Sequence, residues 1–370
     1  MTLEEFLSEW NNASDVVQVH TSGSTGKPKP MWVEKRKMVE SAVRTCDFLG
    51  LKRGDTALLC MPLDYIAGKM MVVRALVRGL RLVVVEPSGH PMISPDPSKG
   101  GEAGSSPLTI SPPLEGLGEV PATFDFAAMV PMQVYNSLQV PAEREKLMKI
   151  RHLLIGGGAV DEAIEEELRD FPNAVWSSYG MTETLSHIAL RRINGADASQ
   201  WYTPMNGVRV SLNADDCLVI HAPHLSDVPL VTNDRGETSP APSKGGEAGS
   251  SPLTISPPLA GAGEVLFRIL GRADNVICSG GIKIQAEEVE RVLRPLMHTP
   301  YLITKQRDEK FGEIVVLLTE DSDLHAVESF CKSSLPKFWQ PRRYVHIDRL
   351  PMTETGKPAR AQAERYVANL

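Results

Sequence analysis

Seven consecutive residues, Thr21, Ser22, Gly23, Ser24, Thr25, Gly26 and Lys27, combine hydroxyls, glycines and a lysine directly behind the strand-like stretch VVQVH. Glycines let a backbone approach an anion and turn its N–H groups inward, hydroxyls add donors, and lysine adds a point charge. That is the chemistry of a phosphate cradle. The spacing G-S-T-G-K-P is not the Walker pattern, because the second glycine comes too early and proline follows the lysine. A flexible Gly/Ser turn is the plainer reading of this string alone.

Four further stretches carry usable chemistry. In SSYGMTET, residues 177–184, the ring of Tyr179 could stack on a nucleobase and Glu183 could hold Mg²⁺ bridging phosphates. The plainer reading is a strand-to-helix turn with Thr182 as its N-cap. In NDRGE, residues 233–237, Asp234 could accept both hydroxyls of a ribose, or be one more polar turn. Residues 271–290 present Arg272, Asp274, Gly280 and Gly281, and residues 350–360 place Lys357 in a loop flanked by proline and glycine. There an ordinary surface lysine is the alternative.

The elements that must position these residues are legible as patterns. Thr2 and Glu5 have capping-box spacing before a short amphipathic helix over 2–10. A helix is expected over 32–49, closed by Gly50. TALLCM, a helix near 65–79 and RLVVV form one β-α-β unit, and HLLIGGG, DEAIEEELRDF and AVWSSYG form another. Such alternation argues for an α/β protein with a parallel sheet. The tail from about residue 275 reads as a smaller α+β unit: a helix at 285–297, strands at YLITKQ and EIVVLLT, a helix near 323–334 and a strand at RYVHI. The expected organisation is a large domain over 1–273 and a small mobile one over 274–370.

Two segments interrupt this order. Residues 94–120 and 239–265 are nearly the same 27-residue string, differing at 96/241, 115/260 and 117/262. Rich in proline, glycine and serine and without aromatics, they lack what a core needs. They are expected to be copied insertions in exposed surface loops, which cost little because closure entropy grows slowly with length. A duplicated partner motif is the alternative.

The gross numbers narrow the class. A chain of 370 residues with 42% apolar and 23% charged residues suits a two-domain enzyme. A net charge of −7 argues against nucleic acid as a partner. Five dispersed cysteines, at 46, 60, 217, 278 and 331, fit reduced cytoplasmic thiols and neither a disulfide framework nor a zinc site. The acidic start MTLEEFLSEW is unlike a signal peptide, and no apolar run is long enough to span a membrane.

In order and spacing, the motifs together resemble the adenylate-forming superfamily of acyl- and aryl-CoA ligases, peptide-synthetase adenylation domains and luciferases. The resemblance runs from about residue 16 to the end, less the two repeats. It implies that residues 21–29 hold the β- and γ-phosphates of ATP and that Gly156, Gly157 and Gly158 line the adenine and acyl pockets. It implies that Tyr179, with Gly180 beside it, stacks on adenine, that Thr182 bonds the α-phosphate and that Glu183 holds Mg²⁺. Asp234 would hold the ribose with Arg272 nearby, and Asp274 would be the hinge between domains. Gly280 and Gly281 would approach the CoA channel, and Lys357 would contact the α-phosphate and the attacking carboxylate. The family usually carries a long stretch before the phosphate loop that is almost absent here. Asp64 stands where an aromatic or histidine is usual.

Within the superfamily, SYGMTETLSH, DRGE, VPMQVYNSL and the 271–293 stretch look most like the o-succinylbenzoate–CoA ligases of menaquinone biosynthesis. That implies ATP, Mg²⁺ and CoA, a cytoplasmic enzyme and an aromatic dicarboxylate as substrate. Gln133, Ser186 and His187 are the candidates for its second carboxylate. Another small aryl- or acyl-CoA ligase, a module loading a carrier protein and a non-catalytic nucleotide binder are the alternatives, and a homodimer stays open.

Overall fold

The computed structural model describes residues 1–20, 30–92, 108–110, 123–239, 265–352 and 358–370. Helix α1 (Leu3–Asn11) opens with the expected capping box, in which the Thr2 hydroxyl accepts from Glu5 N and the Glu5 carboxylate accepts from Thr2 N. Strands β1 (Val16–His20) and β2 (Pro30–Glu34) pair antiparallel, with His20 opposite Pro30, so residues 21–29 join the two arms of a hairpin. The expected helix at 32–49 therefore starts later, as α2 (Lys35–Phe48). Trp32 is 63% exposed while Val33 is 6% exposed, the period-2 alternation of a strand, and cross-strand pairing with β1 overrides any helical tendency.

The outer edge of β1 is held by side chains. Glu9 accepts from Gln18 N at 3.0 Å, and the Lys69 ammonium donates to Gln18 O at 2.5 Å. Lys69 itself is buried, 3.6 Å from the Glu9 carboxylate and 5.5 Å above the Phe6 ring.

The α/β order then proceeds through β3 (Thr56–Leu59), α3 (Ile66–Arg78), β4 (Arg81–Val84), β5 (Leu108–Ile110), β6 (Phe126–Met129), α4 (Pro131–Leu138), α5 (Pro141–Met148), β7 (His152–Ile155), α6 (Glu162–Leu168), β8 (Ala174–Gly180), β9 (His187–Arg192) and β10 (Thr203–Pro204). They form one eight-stranded sheet in the order β10-β9-β8-β7-β6-β3-β4-β5. The run from β8 to β4 is parallel, and β9, β10 and β5 are antiparallel additions. Strands β3 and β6 are buried along their whole length, the near-continuous apolar pattern of parallel strands covered on both faces. The order reverses between β3 and β6, and ligands of such sheets bind beyond the carboxyl ends near that reversal.

The rest of the chain supplies β11 (Arg209–Leu212), β12 (Cys217–His221), β13 (Leu230–Thr238) and β14 (Phe267–Arg272), a four-stranded sheet in that order. There follow β15 (Val276–Ser279), β16 (Ile282–Gln285), α7 (Ala286–Leu293), β17 (Tyr301–Asp308), β18 (Gly312–Thr319), α8 (Leu324–Ser334), β19 (Arg343–His346) and α9 (Arg360–Ala368). A five-stranded sheet of β16, β15, β18, β17 and β19 carries two small cores, one under α7 and α8 and one under α9. The protein is thus α/β with a small α+β region at its C-terminal end, as the alternating pattern led one to expect.

The chain divides into two compact units. One comprises Met1–Val210, Ile220–Leu230 and Ser239–Phe267, and the other Ser211–Val219, Val231–Thr238 and Arg268–Leu370. The expected division at 273/274 differs from this in two ways: the packing boundary falls at 267/268, and the small unit also takes pieces of β11, β12 and β13. Pairing within the sheet β11-β12-β13-β14 draws those pieces in, which a reading along the chain does not register.

One of the two repeats also differs from expectation. Most of both copies lies outside the described residues. In the first, however, Leu108–Ile110 is strand β5, paired antiparallel with Val84, Val83 and Leu82 of β4. The second connects neighbouring strands β13 and β14, and its flanks are tied by Ser239 N donating to Leu266 O at 2.8 Å. Replacing 240–264 with a short turn is therefore expected to leave the thermal midpoint unchanged. Removing 94–120 strips β5 from the sheet and is expected to lower it. Equal midpoints for the two deletions would contradict the pairing.

Candidate active site

Three loops leave the carboxyl ends of parallel strands in the larger unit. After β6 comes Val130, which opens α4. After β7 come Gly156, Gly157 and Gly158. A Cβ on Gly156 would lie 2.5 Å from the Ser178 hydroxyl, so the glycine is what allows β7 and β8 to pass at this point. After β8 the chain shifts register between Tyr179 and Gly180 and enters a 3-10 turn, Thr182–Thr184.

That turn places Thr182 in a buried position and Glu183 in solvent. The capping hydroxyl belongs to Thr184, not Thr182: Thr184 Oγ1 accepts from Met181 N at 2.9 Å. The plain N-cap role considered for Thr182 is thereby filled by a neighbour. Glu183 fits Mg²⁺, which takes one or two carboxylates and leaves its other positions to water and phosphate. Tyr179 is 9% exposed, with its ring edge-on to Phe267 at 5.4 Å and 6.1 Å from Tyr202. Its neighbours thus fix its plane.

Ser186 and His187 are brought together with a residue that the sequence reading missed. Arg74, in the middle of α3, is 2% exposed and donates to Ser186 Oγ at 2.5 Å. Its Nε is buried without a partner, and among the described residues it forms no ion pair. Burial pulls it down to about 10. The signal available in IAGKMMVVRALVR was one arginine inside an apolar helix, which long charged side chains on surface helices also produce.

Gln133 is corrected as a substrate candidate. Its amide donates to Cys60 O at 3.0 Å and Ser88 O at 2.9 Å, and its carbonyl accepts from Val130 N at 3.2 Å. The side chain is spent on backbone and stitches α4 to the end of β3.

In the smaller unit, three expected residues meet. Arg272 lies 3.6 Å from Asp234 and 3.1 Å from Asp274, and Asn233 donates to Asp274 at 3.3 Å. The carbonyl of Arg272 accepts from Gln285 Nε2 at 2.8 Å, which fixes β14 against the start of α7. Gly280 and Gly281 form the two-residue turn of the β15–β16 hairpin, at φ +58° and +84°. Both central positions of such a turn need positive φ, so the hairpin alone accounts for the pair. Residues 21–27 and Lys357 lie outside the described residues. The ends of the 353–357 segment are held together by a bridge between Met352 and Pro358 and by Ala359 N donating to Pro351 O at 2.8 Å.

Comparison with known proteins now adds to this geometry. Residues 5–98 match the family model described as AMP-binding enzyme. The chain is 25% identical over 350 residues to a 2-succinylbenzoate–CoA ligase of Salmonella typhimurium, covering 91% of this chain and 65% of that protein. It thus spans about two thirds of that relative's length. A crystal structure described as an acyl-CoA synthetase (AMP-forming)/AMP-acid ligase II-like protein, from Dyadobacter fermentans, is 29% identical, with a TM-score of 0.57 over 98% of this chain and 93% of that one. An o-succinylbenzoate CoA synthetase from Bacillus subtilis, in complex with ATP and magnesium ion, shares the fold at a TM-score of 0.62 and 21% identity, covering 93% of this chain and 69% of that one. The AMP-binding match begins within α1, so Glu9, which fastens β1, falls inside it.

Three histidines give the fold a pH dependence. Burial, with Arg151, Arg74 and Arg44 adding to it, holds His152, His187 and His224 below the ordinary imidazole range, His152 and His224 down to about 4. The unfolded chain takes up these protons near pH 6.5 and the folded chain does not. Stability is therefore full above about pH 6.5 and falls as the pH drops toward 4. The thermal midpoint is expected to decline between pH 7 and pH 5, with proton uptake on unfolding at pH 5. A midpoint flat over that range would contradict the burial of these rings.

Proposed function

We propose that the protein is an ATP-dependent acid–thiol ligase that adenylates o-succinylbenzoate and passes the acyl group to CoA. The carboxylate oxygen attacks the α-phosphorus, the bond to the pyrophosphate oxygen breaks, and an acyl-adenylate and pyrophosphate result. The CoA sulfur then attacks the acyl carbon, its proton is lost to solvent, and AMP leaves. Residues 21–27, Glu183 with Mg²⁺, and Lys357 offset the repulsion between carboxylate and triphosphate. Asp234 and Arg272 hold the ribose, and Asp274 is the hinge between the two half-reactions. The dispersed thiols suit the cytoplasm.

The observation that carries the choice of acid is Arg74. A buried guanidinium without a counter-ion is costly unless something pairs with it. A substrate with a second carboxylate supplies the missing anion, and a monocarboxylate does not. Relatives named as ligases of the same dicarboxylate support the reading. The test is pyrophosphate release over a panel of acids with ATP, Mg²⁺ and CoA. Turnover of o-succinylbenzoate should exceed that of benzoate or a medium-chain acid by about 10⁴ in kcat/KM, because the wrong acid leaves the buried donors unpaired. Comparable turnover of all three would leave only a general acyl-CoA ligase.

A further inference from the structure

Arg74 ends a directed chain of hydrogen bonds that crosses from α3 to α2. Arginine only donates, so Ser186 Oγ accepts from it at 2.5 Å. At the far end, Thr45 Oγ1 donates its single proton to Ser41 O at 3.2 Å, within α2. Thr45 can then only accept at its contact with His187 Nε2, at 2.9 Å. His187 Nε2 must therefore carry the ring proton. Its Nδ1 is left as an acceptor, and the Ser186 hydroxyl proton points to it across 3.3 Å. The Arg74 charge lies on the Nδ1 side, where a lone pair is favoured over an N–H. Thr45 and His187 are both buried, at 0% and 8% exposure.

We propose that Thr45 and His187 are positioning residues for acid selection: they fix the neutral Nε2–H tautomer, which turns the Ser186 hydroxyl so that its oxygen faces Arg74. The chain holds Nη2 of the guanidinium, Nη1 meets Met71 Sδ at 3.9 Å, and Nε is left for the ligand. His187 and Ser186 thus act through Arg74 and do not themselves bind the carboxylate. This rests on the reading of Arg74 as the partner of a second carboxylate.

Two measurements on the full chain test it. The first is ¹⁵N NMR of the histidine rings without substrate, with His187 assigned by comparison with His187→Gln. The expected signal is a neutral ring protonated at Nε2, unchanged between pH 8 and pH 6. A ring protonated at Nδ1, or one that titrates in that range, overturns the proposal. This arm needs no substrate, so it stands or falls apart from the choice of acid. The second is kinetic. Thr45→Val should raise KM for the dicarboxylic acid about tenfold, the value of one hydrogen bond, with kcat and the KM for ATP unchanged. Thr45→Ser, which keeps the hydroxyl, should restore it. Equal loss toward a monocarboxylic acid, or no rescue by serine, shows a merely structural threonine and overturns the positioning role.

Discussion

Lys357→Ala is expected to slow adenylate formation by about 10²–10³ while leaving CoA attack on supplied acyl-adenylate nearly unchanged. The size follows from removing one preorganised charge at the point where negative charge accumulates, roughly 3–4 kcal/mol. The split follows from the chemistry of the two half-reactions. In the first, a carboxylate approaches a triphosphate, and a cation bridging them acts mostly in the transition state. In the second, a neutral thiol meets an activated carbonyl and the triphosphate is gone. Pyrophosphate exchange measures the first step, and thioester formation from synthetic adenylate measures the second. Equal losses in both would remove Lys357 from the role proposed for it.

Arg74→Met is expected to lower kcat/KM for o-succinylbenzoate by on the order of 10²–10³, the effect of truncating one member of a buried charge pair. The same change should leave kcat/KM for a monocarboxylic acid alone. Its effect on stability has the opposite sign from most core substitutions. The guanidinium is buried without an ion-pair partner among the described residues, and replacing such a group by an apolar chain of similar volume is neutral or stabilising. The expected signature is an unchanged or raised thermal midpoint with lost selectivity. A fall in midpoint together with equal losses for every acid would make Arg74 a structural residue.

How far the sequence reached depended on whether a feature is local. The Thr2–Glu5 capping box, the strand VVQVH and the parallel β-α-β units are local patterns, and the structure has them where the patterns placed them. The 234–274 cluster is not local: Asp234 and Arg272 are far apart along the chain, were expected together only from the family resemblance, and meet because β13 neighbours β14. Trp32–Glu34 failed as a helix because a partner strand decided it, and β5 was invisible because its pairing is with a strand more than twenty residues back. Depth was illegible altogether. No string distinguishes an arginine lying along a surface from one sealed beneath it, so Arg74 passed unnoticed. Gln133, whose amide is consumed by three backbone groups, read as available. The paired glycines at 280 and 281 were expected from the resemblance to approach a CoA channel, yet a tight hairpin uses their backbone freedom before any ligand does.

Strand β5 bears on how this chain can change over generations. It is three residues, LTI, drawn from a string that occurs twice. Its bonds to β4 are main-chain bonds, which ask almost nothing of side chains beyond the ability to lie extended. An arriving segment can therefore be taken into a sheet at once, with no matching mutations elsewhere, provided an open edge waits for it. Such an edge is also where other molecules of the same protein could add and aggregate. Covering that edge takes only three extended residues, so what the sheet asks of this stretch is a backbone and not a particular string.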